Sequence, residues 1–123
     1  MVNKIFFYLA AASTGIAGAL HIAIVPMFFT FTPILVSIFF IISGLAQLFW
    51  MIPIMKRWSD LWYNIGIMGT VVLIFLFIVA VPAKGLPISA LGIVIEFLQV
   101  LFIVMCGIIL NDRAKSKMSK NNI

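Results

Sequence analysis

Four long apolar segments, separated by short connections, leave this chain few ways to fold. They cover residues 5–25, 34–55, 61–81 and 88–110. A helix rises about 1.5 Å per residue, so roughly 20 apolar residues cross the hydrocarbon core of a bilayer, which is about 30 Å thick. Each segment is long enough for one crossing. The sequence therefore predicts an all-α integral membrane protein, with an antiparallel bundle of four transmembrane helices in residues 1–110.

The composition agrees with this class of protein. Hydrophobic residues make up 65% of the 123 residues, and the mean hydropathy of +1.30 is too high for a soluble domain of this size. A net charge of +5 in such a chain indicates membrane topology and attraction to anionic lipid, so we expect no nucleic acid partner. The single cysteine, Cys106, excludes an internal disulfide and an all-cysteine metal cage built by one chain.

The basic residues predict the orientation of the bundle. An even number of crossings places both termini on one side, and Lys84 is the only basic residue expected on the other side. The side of the termini carries Lys4, Lys56, Arg57, Arg113, Lys115, Lys117 and Lys120. Because cytoplasmic connections are enriched in Lys and Arg, we expect both termini in the cytoplasm and the bundle in the plasma membrane.

The N-terminal segment has a second interpretation, a cleavable signal peptide. Lys4 precedes an apolar run, and Ala17-Gly18-Ala19 resembles a small-residue cleavage site. The apolar run continues past that site to Val25, which makes a full crossing. We therefore favour an uncleaved first helix.

Two segments outside the predicted helices have unusual compositions. Residues 27–32 form an uncharged connection with three phenylalanines, flanked by prolines. Exposed apolar area costs about 25 cal/mol per Å², so we expect this connection in the bilayer interface or against a partner, and the sequence leaves both open. Residues 111–123 are basic and polar. We expect them to form a disordered cytoplasmic tail attracted to anionic lipid.

Five polar side chains lie inside or beside the apolar segments and are the candidate functional residues. A carboxylate in hydrocarbon costs a few kcal/mol or more unless it is neutralised or paired, which singles out Glu96. Counting helical rise from the outer ends places His21 and Glu96 near the outer side and Gln99 at mid-depth. Gln47 and Asn64 fall deeper, towards the cytoplasm. Helical steps of three and four residues place Glu96 and Gln99 on one face, so we expect both in the interior, with Glu96 protonated or paired with His21.

These side chains allow more than one interpretation. The simplest is that they hydrogen-bond neighbouring helices, with Gln47 and Asn64 as structural contacts, each bond contributing about 0.6 kcal/mol. The alternative is a binding site for a proton, a cation or a polar ligand at His21, Glu96 and Gln99. A metal site is disfavoured, because one histidine and one carboxylate supply only two ligands. We also expect no cofactor, because one histidine gives at most one axial haem ligand.

Short motifs along most of the chain resemble a known family. They are Gly18-Ala19-Leu20-His21 and Val25-Pro26, Gly44-Leu45-Ala46-Gln47, Tyr63-Asn64-Ile65-Gly66, Gly85-Leu86-Pro87, and the pair Glu96 and Gln99. The chain resembles a family of small four-helix membrane proteins of archaea and actinobacteria, which implies the fold but no activity. In size and composition it is also similar to minor subunits of the archaeal ammonia monooxygenase complex. That likeness implies that copper and substrate chemistry belong to neighbouring subunits.

The reactive groups are too few for most kinds of catalysis. Three acidic residues and one histidine do not form paired carboxylates, a Ser/His/Asp arrangement or a zinc-protease helix, and no glycine-rich phosphate loop is present. The sequence thus predicts a non-catalytic accessory subunit of a larger membrane complex, with the bilayer and other membrane subunits as partners. The alternative is a small membrane carrier or sensor that uses His21 and Glu96.

Overall fold

The computed structural model describes residues 3–28, 34–83 and 90–121, and all regular structure within these residues is helical. The helices are α1 (Lys4–Phe28), α2 (Ile34–Met55), α3 (Asp60–Ala83) and α4 (Ala90–Asn121). By length and composition, these four described helices are long and apolar enough to cross a membrane. The predicted all-α fold of four such helices is therefore present.

The helix bounds differ from the predicted ones mainly at the ends. α2 matches the predicted span, whereas α1 continues through Pro26 and α3 through Pro82. A proline in the last turn removes one backbone donor but does not force the helix to end before it. The largest difference is α4, which remains helical to Asn121. The prediction of a disordered tail is therefore wrong for residues 111–121.

Both predicted outer connections lie largely beyond the described part of the chain. Residues 29–33 and 84–89 are not described, nor are the side chains of Met27 and Phe28. The prediction that residues 27–32 lie in the bilayer interface or against a partner therefore concerns a segment largely outside the described residues, and it stays a prediction.

Helix α1 lies at the centre of the bundle. It packs along α2 on one side and along α4 on the other, while α3 packs against α4 and touches α2 only lightly. The buried face of α1 carries small residues, among them Ala10, Ala11 and Ala17. Small side chains let helix backbones approach closely, which is the main source of packing energy where lipid surrounds the helices.

A regular stripe of α4 faces the interior. Its fully buried members are Ile95, Gln99, Phe102, Cys106 and Ile109, which follow one another in steps of three and four residues. This spacing keeps all of them on one helix face. The lower part of the stripe joins the buried core together with side chains of the other helices, Ala10, Ala11, Ile54 and Tyr63.

The connection between α2 and α3 is a tight helix cap. The Trp58 N–H donates to the Pro53 carbonyl (3.0 Å) and the Arg57 N–H donates to the Ile54 carbonyl (3.2 Å). These two bonds form a Schellman motif, in which the residue after the helix adopts a left-handed conformation and is usually glycine. Here that residue is Arg57, with a φ of 55°.

One arginine of α4 binds this cap. Arg113 Nη1 donates to the Trp58 carbonyl (2.9 Å) and to Asp60 Oδ1 (2.9 Å). Its Nη2 donates to the Tyr63 hydroxyl (3.3 Å) and to the Arg57 carbonyl (3.4 Å). One turn further along α4, Lys117 Nζ lies 2.9 Å from Asp60 Oδ2. The basic end of α4 is thereby tied to the start of α3, which supports its helical state.

Candidate functional site

His21 is buried between α1 and α2. The residue is 6% exposed, and its Nδ1 donates to the Ala17 carbonyl of its own helix (3.0 Å). The ring also interacts with the side chain of Gln47 and lies 5.5 Å from the ring of Phe40, centre to centre. The polar partners of His21 are thus a backbone carbonyl and a glutamine.

Glu96 lies at the edge of the buried stripe of α4. The stripe passes through Ile95 and Gln99, so Glu96 is half-buried on its flank rather than inside. Its neighbours Ile93, Phe97 and Val100 are exposed. No hydrogen bond or ion pair joins Glu96 to any residue within 3–28, 34–83 and 90–121. The structure therefore does not form the predicted His21–Glu96 pair.

The two glutamines are buried in the bundle. Gln99 is 1% exposed and Gln47 is 6% exposed. Neither amide atom of Gln99 has a hydrogen-bond partner in the described part of the chain, and the same holds for Gln47 Oε1 and Ser37 Oγ. Buried polar groups are nearly always hydrogen-bonded. Each of these atoms can therefore still form a hydrogen bond with a group outside the described residues.

Asn64 does not join the other polar residues. α3 buries Tyr63, Gly66 and Thr70, in steps of three and four, and Asn64 lies exposed beside that face. Asn64 therefore lies apart from Gln47 and does not join the predicted inner polar group, because α3 directs its tyrosine and small residues inward instead.

A cleft opens between α2 and α3, where these helices pack only lightly. Its volume is about 260 Å³, and its polar lining consists of Thr14, Ser43, Gln47 and Thr70. The hydroxyl of Thr14 donates to the Gln47 carbonyl (3.3 Å), and that of Thr70 donates to the Gly66 carbonyl (2.7 Å). The hydroxyl donors of Thr14 and Thr70 are therefore in use, and Gln47 Oε1 is a buried acceptor in this lining without a partner among the described residues.

The described residues contain no group of three or more His, Cys, Asp and Glu side chains that could hold a metal ion. Cys106 is free and fully buried in the lower core. The absence of a metal site and of catalytic residues stays a prediction.

The sequence interpretation missed the cluster around Asp60, Arg113 and Lys117. Its signal is present in the chain, because Arg113, Ser116, Lys117 and Lys120 are spaced by three, four and seven residues. That spacing aligns them on one face only if the tail is helical. Treating the tail as disordered hid the alignment.

No family model, curated protein or solved structure matches this chain. The resemblance carried by its short motifs therefore remains a prediction, and the function has to be argued from the residues themselves.

Proposed function

We propose that this chain is a multi-pass membrane protein, with both termini in the cytoplasm, that serves as a non-catalytic accessory subunit of a larger membrane complex. Four described helices of membrane-crossing length support the first part. One observation carries the second part. Glu96 is half-buried on the flank of α4, without a polar partner among the described residues.

The cost of such a carboxyl group favours an external partner. In a bilayer, Glu96 would lie about 9 Å below the start of α4 at Ala90, inside hydrocarbon. Ionisable groups at that depth are expensive and are nearly always paired or directed to a polar interior. His21 is engaged by Ala17 and Gln47. A donor on a transmembrane helix of another subunit would satisfy Glu96 and fix that subunit against α4.

The few reactive groups of the chain support a structural role. The similarity in size and composition to minor subunits of the archaeal ammonia monooxygenase complex makes that complex our first candidate for the assembly. In it, this chain would contribute helix contacts, and the neighbouring subunits would carry the chemistry.

The proposal can be tested by gentle extraction from the native membrane, followed by native mass measurement and identification of co-purifying chains. We expect the wild type and Glu96→Gln to retain the same partner, because the amide keeps donor and acceptor capacity. Glu96→Ala should release that partner. Val94→Ala, at an exposed position that lies about 160° around α4 from Glu96, is the matched control and should retain it. A monomeric wild-type chain, or a partner that survives Glu96→Ala, would contradict the proposal.

The alternative is a small carrier or sensor, and the unpartnered amide atoms of Gln47 and Gln99 favour it. In that case His21, Glu96 and Gln99 would respond to a proton, a cation or a polar ligand in an isolated chain. Glu96→Gln would then abolish the response while leaving the oligomeric state unchanged. Glu96→Gln and Glu96→Ala therefore distinguish the accessory subunit from the carrier or sensor.

A further inference from the structure

A basic pocket of about 310 Å³ lies where α1 begins and α4 ends. Four of its lining residues are cationic, namely Arg57, Arg113, Lys117 and Lys120. Ser116 adds a hydroxyl, and Phe7 and Asp112 complete the lining. The pocket thus joins the first turns of α1, the α2–α3 cap and the last turns of α4.

Two of the four cations are already engaged. Asp60 binds Arg113 through Oδ1 and Lys117 through Oδ2, each at 2.9 Å. Arg57 stacks its guanidinium 4.3 Å from the centre of the Phe7 ring. Within the described residues, neither Arg57 nor Lys120 donates a side-chain hydrogen bond or joins an ion pair. The pocket therefore has two cations, Arg57 and Lys120, whose donors are available to an anion of suitable size.

The backbone at Arg57 gives an independent reason to expect a ligand. Arg57 occupies the left-handed position of the cap with a φ of 55°, where glycine would avoid the steric clash of a Cβ atom with the backbone. Strain of this kind in a residue other than glycine is concentrated at ligand clamps and functional sites. A guanidinium at this position is useful because its planar set of donors matches the oxygens of a phosphate.

The surroundings indicate which phosphate. Trp58 belongs to the α2–α3 cap that borders the pocket, and its ring centre lies 5.0 Å from that of Trp62. The ring centre of Trp50 lies 5.6 Å from that of Trp62. Tryptophans concentrate at the boundary between hydrocarbon and headgroups. The pocket therefore adjoins the ends of four membrane-length helices at the level of the headgroups. Basic pockets between helices at this level bind anionic lipid.

We propose that this pocket binds the phosphate of an anionic phospholipid headgroup, with Arg57 and Lys120 as its direct contacts. Ser116 is placed to donate a further hydrogen bond, while Arg113 and Lys117 hold the cap and α4 in position. The inference rests on the membrane insertion proposed above and is independent of any partner subunit.

The test uses the full-length chain, purified in mild detergent and titrated with dioleoyl phosphatidylglycerol or dioleoyl phosphatidylcholine. Lipid binding is counted by native mass spectrometry. We expect wild type to prefer the anionic lipid. Each cation near an anionic lipid contributes about fivefold in affinity, so Arg57→Gln with Lys120→Gln should weaken phosphatidylglycerol binding about thirtyfold. Lys120 is exposed, so its substitution should leave the fold intact. Lys120→Gln alone should weaken phosphatidylglycerol binding about fivefold.

Lys115→Gln is the matched control. It removes the same charge from an exposed position of α4 that does not line the pocket, and we expect it to keep wild-type binding. Equal losses in Lys115→Gln and Lys120→Gln would show general attraction to charge and overturn the proposal. Displacement of phosphatidylglycerol by an equal concentration of inorganic phosphate would show a site for soluble phosphate and overturn the lipid assignment. Because the readout is made on the isolated chain, it is unaffected if the accessory role proves wrong.

Discussion

A Cβ atom added to Gly18 would lie 2.6 Å from the carbonyl oxygen of Gly44, and one added to Gly44 would lie 2.6 Å from the carbonyl oxygen of Gly18. The obstructing atoms belong to the backbones of α1 and α2, which side-chain rotation does not relieve. Gly18→Ala or Gly44→Ala should therefore push the helices apart and lower the free energy of unfolding by about 1–3 kcal/mol. Reversible unfolding in detergent mixtures, followed by circular dichroism, measures this change.

Gly69 and Gly107 provide the controls, because a Cβ at either position has no neighbour within 4 Å. Alanine favours helix over glycine, so Gly69→Ala and Gly107→Ala should raise stability by up to about 1 kcal/mol. A loss in these controls as large as in Gly18→Ala would refute a specific α1–α2 contact.

The length and apolar character of the helices could be predicted from sequence because each property is local. Which face of a helix turns inward is harder. On α1, the small residues fit two overlapping registers, Ala11-Gly15-Ala19 and Ala11-Thr14-Gly18-His21. The structure buries every member of the second, whereas it leaves Ala19 of the first exposed. Both registers obey the same helical spacing. The choice between them depends on where α2 and α4 pack, which is a property of the whole bundle.

The same limit applies to the candidate site. Glu96 is one residue from the buried stripe of α4, a rotation of about 100° that spacing alone does not resolve. For the basic C-terminal end of α4, the sequence indicates charge but not the partner of that charge. Asp60 is distant along the chain from Arg113, and their contact becomes visible only in three dimensions.

Arg113 should be the most important charged residue for holding α3 and α4 together. Its removal would leave Asp60 with Lys117 as its donor, and Asp60 Oδ1 and the Tyr63 hydroxyl would lose theirs at the edge of the core. We expect Arg113→Ala to lower the free energy of unfolding by about 1–3 kcal/mol. Hydrogen exchange should rise in the first turns of α3, and mass spectrometry of deuterium uptake measures it there.

Lys117→Gln is the comparison for Arg113→Ala. The Lys117 side chain is 70% exposed, and exposed ion pairs contribute between zero and about 1 kcal/mol. Its loss should leave exchange in α3 nearly unchanged. Equal effects of the two substitutions would mean that net charge, and not the hydrogen bonds of Arg113, stabilises this end of the bundle.

The strain at Arg57 can be isolated by comparing two substitutions. Arg57→Gly and Arg57→Ala both remove the guanidinium and its contact with Phe7, but only glycine relieves the left-handed backbone. We therefore expect Arg57→Gly to be more stable than Arg57→Ala by about 1 kcal/mol. Both should lose phosphatidylglycerol affinity to a similar degree. If glycine shows no advantage in chemical unfolding, Arg57 is not strained and the argument for a functional role from its backbone fails.

Substitution of Gln99 tests whether the interior of the bundle is empty or contains a bound ligand. The residue is 1% exposed, and neither the oxygen nor the nitrogen of its amide has a partner among the described residues. An unsatisfied buried amide costs about 1–3 kcal/mol, so Gln99→Leu should raise the free energy of unfolding of the isolated chain by a similar amount. Thr14→Val is the control with opposite sign, because the Thr14 hydroxyl donates to the Gln47 carbonyl across two helices, and its loss should destabilise. Unfolding of both variants in the same detergent gives the comparison. If Gln99→Leu instead destabilises the bundle, the amide has a hydrogen-bond partner beyond the described residues, and a bound polar ligand, as the carrier interpretation requires, is then favoured over an empty interior.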